Sequence, residues 1–198
     1  MTLAADTLCT AFAGQQLIAS GPLADVALKV KAAADAGETA TILVFEDETG
    51  QQVPLDLRGS PDEVSARLVG AAPSPPLTEA PRVGRPKLGV TAREVTLLPR
   101  HWEWLAEQPG GASAALRRLV EEARRTHAGR DAARRAQEAA HRVMSALAGD
   151  LPDYEEALRA LYAGDAEAFA TRIADWPARV KHYVGRLAAR AREQTAEA

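Results

Sequence analysis

Between Ala71 and Gly89 the chain carries Pro73, Pro75, Pro76, Pro81 and Pro86, with Gly84 and Gly89 among them. Proline fixes its own φ and lacks a backbone donor, so no helix or sheet interior tolerates this density. The stretch therefore divides the 198 residues into two parts, an acidic α/β part before it and an arginine-rich helical part after it. Either is long enough to build a small core. At 46% hydrophobic residues the chain is expected to fold rather than to remain a disordered polyelectrolyte.

Charge follows the same division. The formal net charge of −3 resolves into −7 over residues 1–79, +6 over 80–145 and −2 over 146–198. Only the middle segment has the sign that nucleic acid attracts. The sequence has no run of 18 apolar residues, and its first 30 lack a basic stretch followed by an apolar one. A cytoplasmic protein, neither membrane-spanning nor exported by a conventional signal, is expected.

The first part predicts a ββαββα order. Leu8 to Phe12 and Gln16 to Ala19 suit a tight hairpin. Leu23, Val26, Ala27, Val30 and Ala34 recur at helical spacing up to a stop at Gly37. Thr41 to Phe45 is β-rich, and Gln52 to Leu57 alternates, with Pro54 marking an edge strand. Ser60, Pro61 and Glu63 form a helix start with a reciprocal cap, ahead of the inner residues Val64 and Leu68. A small sheet with helices packed on one face is the expected arrangement. The acidic group Glu46 to Glu48 reads as a solvated turn, with an acidic docking face or weak cation site as the alternative.

After the proline-rich linker at 71–81 comes Arg82-Val83-Gly84-Arg85-Pro86-Lys87. Its Gly-Arg-Pro core resembles the centre of minor-groove DNA-binding hooks, in which an extended backbone lets arginine enter a narrow groove. On that resemblance Arg85 and Lys87 are candidate DNA contacts; the plain reading is linker.

The most specific pattern lies at 93–125. Arg93 to Leu98 is read as a short strand closed by Pro99. A first helix follows from Arg100, with Trp102 and Leu105 inward. Pro109-Gly110-Gly111 breaks the chain, and Ser113 is placed to cap a second helix lined by Leu116, Leu119, Val120 and Ala123. In element order and length this resembles the ribbon-helix-helix DNA-binding fold. The resemblance implies that two chains pair their strands into a ribbon entering the major groove, with the second helix's N-terminus on phosphate.

Carried over by position, Arg93, Val95 and Leu97 would face the bases, and Glu94, Thr96 and Leu98 would face inward. Arg93 alone among the three has a side chain that reads a base edge bidentately. Arg100, Ser113 and Arg117 would supply phosphate contacts. Apolar Val95 and Leu97, together with Trp104, suit a partner protein equally well. Three outcomes stay open: DNA binding led by phosphate, pairing of 93–98 with the N-terminal sheet, or a dimerisation device without a DNA face. Arg117, Arg118, Arg124 and Arg125 form two rows on one helix, with Glu121 and Glu122 at pairing distance.

The rest, 129–198, predicts a small antiparallel helical bundle. Its apolar positions are Val143, Met144 and Leu147, then Leu158 and Leu161, then Phe169 and Ile173, then Val180, Tyr183, Val184, Leu187 and Ala191. Asp150 or Asp153, Asp165, and Asp175-Trp176-Pro177 supply helix starts. The whole is α+β: an acidic α/β module at 1–70, the linker at 71–81, a basic arm and strand-helix-helix segment at 82–128, and the bundle at 129–198.

Cys9 is the sole cysteine, which excludes an internal disulfide, and the four histidines are dispersed. No nucleophile stands beside a base and an orienting group, so no catalytic residue, metal or cofactor is assigned and the chain is read as a non-enzyme. Taken as a unit, Gly84-Arg85-Pro86-Lys87, Glu94 to Leu105, Pro109 to Ser113, Tyr154-Glu155-Glu156-Ala157, Leu161 to Asp165 and Trp176-Pro177 resemble a bacterial family, domain-of-unknown-function family 2239, over nearly the full chain. The resemblance implies a cytosolic bacterial protein and brings no catalytic residue or ligand with it. A small DNA-binding protein, dimerising through 93–98, is the leading expectation; an interaction module without DNA binding is the alternative.

Overall fold

Every residue of the central strand's inner stretch, Cys9 to Ala13, is buried, and that one strand organises the first compact unit. The computed structural model describes residues 3–70, 91 and 93–196. Strands β1 (Leu8–Ala13), β2 (Gln16–Pro22) and β3 (Ile42–Glu46) form an antiparallel sheet in the order β2-β1-β3. Small and apolar side chains run unbroken through Cys9-Thr10-Ala11-Phe12-Ala13, which lets β1 be covered from both sides. Gly14, at φ +54, closes the hairpin to β2.

Helix α1 (Leu23–Asp35) buries Leu23, Val26, Ala27 and Val30, the stripe its spacing predicts. Leu23, Val26 and Val30 pack with Cys9, Ala11 and Val44 on one face of the sheet. Helix α2 (Pro61–Gly70) opens with the expected reciprocal cap. The Ser60 amide donates to Glu63 Oε2 at 2.7 Å, and the Glu63 amide donates to Ser60 Oγ at 3.3 Å.

Two expectations for this part are corrected. Gln52 to Leu57 is not a strand: only Gln52 bridges to Phe45, and the Val53 amide donates to the Val44 carbonyl at 2.8 Å before pairing stops. Pro54 follows at once and has no amide with which to continue. Val53, Leu55 and Leu57 still lie against the core on the α1 side.

The sheet is also covered on both faces rather than one. Phe12 and Phe45 point away from α1 into a cluster with Val143, Met144, Val180 and Tyr183. Those residues belong to α5 (Ala128–Ala148) and α8 (Ala178–Ala196); α6 (Tyr154–Ala163) and α7 (Ala166–Arg172) complete the helical layer. The N-terminal sheet and the C-terminal helices, assigned to separate modules by the sequence, thus share one core. The compact units are Met1–Ser74 with Gly129–Ala198, and Pro75–Ala128. Truncating a residue as enclosed as Phe12 costs about 3–5 kcal/mol, a large part of a small domain's stability.

Within the helical layer the starts follow local chemistry. Asp165 accepts the Ala168 amide at 2.9 Å and caps α7. Asp153 holds the cap position of α6 at φ +59, but its side chain makes no cap bond and lies 3.7 Å from Arg172. Trp176, 3% exposed, donates from Nε1 to the Pro152 carbonyl at 2.8 Å.

The second unit contains α3 (Pro99–Ala106) and α4 (Gly111–Thr126). Leu105 and Ala115 are its buried apolar residues among those described. The linker at 71–81 and the arm residues Arg82, Arg85 and Lys87 lie outside the described residues.

Candidate interaction surface

Leu98 is extended, at φ −66 and ψ 150, and Pro99 follows as the first helical residue, where its missing donor costs nothing. Among the described residues, 93–98 carry no strand assignment. Leu97 is half-buried; Arg93, Glu94, Val95, Thr96 and Leu98 are exposed.

The turn to α4 departs from expectation at Ser113. Gly110 occupies the cap position at φ +83, and Gly111, at φ +74, begins the helix. Glycine adopts these angles without strain, so the helix starts three residues early and Ser113 stands exposed in its first turn rather than capping it. The start of α4 has no side-chain cap and no acidic residue in its first turn. Among the described residues, no carboxylate is bonded to the amides at the positive end of its dipole.

Trp102, expected in a core with Leu105, is 41% exposed. Helix α3 has eight residues and turns only Leu105 fully inward. Trp104 is exposed as well, and its carbonyl accepts from Gln108 Nε2 at 3.2 Å. On α4, Leu116 is half-buried while Leu119, Val120 and Ala123 are exposed. The stripe forms at the predicted spacing, but the hairpin alone does not cover it.

Arg93, Arg100 and Arg117 are all exposed. Among the described residues, none of the three has a carboxylate within ion-pair distance. Arg124 pairs with Glu121 at 3.2 Å, and Arg125 Nε donates to the Glu121 carbonyl at 3.4 Å. The expected pairings of Arg117 and Arg118 are not made.

A second constellation, in the first unit, escaped the sequence reading. The acidic turn after β3 is not simply solvated. Asp47 Oδ1 accepts from Thr10 Oγ1 at 2.7 Å and from the Tyr183 hydroxyl at 2.9 Å, and Oδ2 accepts from Arg186 at 2.9 Å. Burial, then the Asp47 charge, pushes the Tyr183 phenol well above its ordinary range. Burial, followed by the charges of Asp47 and Glu46, pushes the Cys9 thiol up to about 11, as befits a buried small residue rather than a reactive one.

Tyr183, Arg186 and Arg190 follow one another at helical spacing on α8, so a shared face was legible. That it meets the turn was not. On α5, His141 Nδ1 lies 3.0 Å from the Tyr162 hydroxyl, and Ser145 Oγ lies 2.7 Å from that of Tyr154. Among the described residues no three His, Cys, Asp or Glu side chains converge to hold a metal ion, and no helix is long and apolar enough to cross a membrane.

Fold and surface together define an α+β protein: a small sheet interleaved with helices, followed by a C-terminal helical bundle and interrupted by a helical hairpin with an uncovered apolar stripe and exposed arginines. The chain belongs to the family described as "Uncharacterized protein conserved in bacteria (DUF2239)", which it matches over residues 8–188. No curated protein and no solved structure matches it.

Proposed function

We propose that this is a small, non-catalytic, cytoplasmic DNA-associated protein that dimerises through residues 93–98 and the apolar sides of α3 and α4. One observation carries the reading. Of the ten exposed large hydrophobic residues among those described, six lie together in sequence from Val95 to Val120, beside an extended segment without a strand partner. Apolar surface gathered in this way marks an association site, and an unpaired edge is satisfied by a second edge. In the ribbon-helix-helix arrangement that second edge is another copy of the chain.

The DNA component rests on charge. Arg93, Arg100 and Arg117 are exposed, Ser113 and the amides of the first turn of α4 are open, and the middle of the sequence carries a net charge of +6. Val95 and Leu97 offer bases only apolar contact, so phosphate contacts would dominate and sequence preference would be weak. Arg85 and Lys87 would add to the same field. Duplex binding should fall steeply between about 50 and 200 mM salt. Absence of binding at both concentrations ends the DNA component of the reading.

The exposed Trp104 and Val95 favour a second reading, a protein-interaction module without DNA binding. Introducing Val95→Lys with Leu97→Lys separates the two. Under the first reading these positions face the duplex, so the dimer persists and DNA binding is retained or strengthened. Under the second, partner capture is lost and DNA is never bound.

A further inference from the structure

We propose that the cleft between the turn after β3 and helices α5 and α8 binds a small phosphate monoester with a polar organic body, such as a nucleoside 5′-monophosphate. The site lies within the first compact unit and is independent of the DNA reading.

The turn is fixed against α5 at close range. A Cβ on Gly50 would lie 2.3 Å from the Ala139 carbonyl oxygen, so backbone rests on backbone. Two arginines clamp the turn through its carbonyls: Arg142 Nη1 donates to Thr49 O at 2.7 Å, and Arg190 Nη1 to Asp47 O at 3.4 Å. With Arg135 they line a cavity of about 240 Å³, completed by Glu48, Glu138 and Gln194.

Three guanidiniums that cannot discharge thus face one small volume, against two carboxylates. The carboxylate contacts are long: Arg142 to Glu138 is 3.4 Å, and Arg190 to Glu48 is 3.6 Å. Among the described residues Arg135 has no ion-pair partner. Each fork therefore keeps donors unspent, and an oxyanion with several acceptor oxygens is the ligand that two or three forks share best.

A second, wider groove of about 610 Å³ shares Arg142 and Gln51 with the first. His141 and Ser145 line it, and their positions are set by the Tyr162 and Tyr154 hydroxyls. An arginine-lined pocket that shares Arg142 and Gln51 with a roomier groove carrying an imidazole and a hydroxyl suits a ligand with a charged head and a larger polar body. The head fits the three arginines and the body lies along His141 and Ser145.

The full-length chain titrated calorimetrically with adenosine 5′-monophosphate, inorganic phosphate and adenosine tests this. The monophosphate should bind at least about tenfold more tightly than phosphate, and adenosine should not bind detectably. Arg135→Gln, an exposed position whose loss should leave the ligand-free melting temperature unchanged, should weaken monophosphate binding about tenfold or more. No heat from either phosphate compound, or unchanged affinity in Arg135→Gln, overturns the proposal. Equal affinity for phosphate and the monophosphate overturns the role of the wider groove. A short duplex, run in parallel, distinguishes the source of the phosphoryl group: if Arg135→Gln weakens the duplex while the monophosphate does not bind, the arginines serve a nucleic-acid backbone and the small-ligand assignment fails.

Discussion

The hydroxyl of Tyr183 donates to Asp47 Oδ1 at 2.9 Å across 136 residues of sequence. It ties the last helix to the turn that ends the sheet. The same oxygen accepts from Thr10 on the central strand, whose Oγ1 is in turn 3.0 Å from Ser20 Oγ on β2. One carboxylate thus gathers groups from β1, the β3 turn and α8, and it is largely enclosed, with 17% of its side chain exposed.

Asp47→Ala should be costly because it leaves the Tyr183 and Thr10 hydroxyls without their acceptor. A loss of about 2–4 kcal/mol is expected, against about 1–2 kcal/mol for Tyr183→Phe, which removes one donor from an acceptor that retains others. Urea denaturation of the two single variants and the double variant checks this. The double variant should cost clearly less than the sum.

Gly50→Ala should be among the most damaging single-methyl additions. The residue sits at φ +65, and the added carbon would meet the Ala139 backbone, which has no flexible end to move aside. A loss of roughly 2 kcal/mol or more is expected. Gly37, at φ +90 with nothing within 4 Å of an added Cβ, is the control. Its alanine variant should cost about 1 kcal/mol from backbone strain alone. Thermal unfolding of the pair separates contact from conformation.

The protein should lose stability at alkaline pH. Cys9 is raised from 9.0 to about 11 and Tyr183 is raised further above its own ordinary value. A raised pKa means the folded chain holds the proton while the unfolded chain releases it. The contribution is therefore complete below the unfolded pKa and is lost as pH rises through the folded one. For Cys9 that window runs from about pH 9 to 11 and amounts to about 3 kcal/mol. Denaturation midpoints at pH 8 and pH 10.5 should differ less in Cys9→Ala than in the parent protein.

On the hairpin, Leu105 and Leu119 should behave oppositely. Leu105 is 3% exposed, so Leu105→Ala should loosen α3 against α4 at any protein concentration, at a cost of about 2–4 kcal/mol. Leu119 is 39% exposed. Leu119→Ala should leave a monomer's stability within about 0.5 kcal/mol and, under the proposed function, weaken only self-association. Light scattering across a concentration series, with near-ultraviolet circular dichroism of Trp102 and Trp104, reads both.

Local structure was determined by the sequence wherever the deciding bond spans a few residues. The cap between Ser60 and Glu63, the Asp165 cap, the stripe of α1 and the faces of α5 and α8 all formed where spacing put them. Their partners lie within one or two turns, so a short window of sequence contains the whole interaction. Tertiary structure decided what covers each face. Periodicity shows that Tyr183 and Val184 turn inward, but not that they meet the sheet, and it shows a stripe at Leu119 without indicating that α3 is too short to cover it. The same limit hid Asp47. An acidic turn looks solvated until a helix 136 residues away supplies the donors that enclose it, because long-range contacts depend on which surfaces remain uncovered once all local elements have formed.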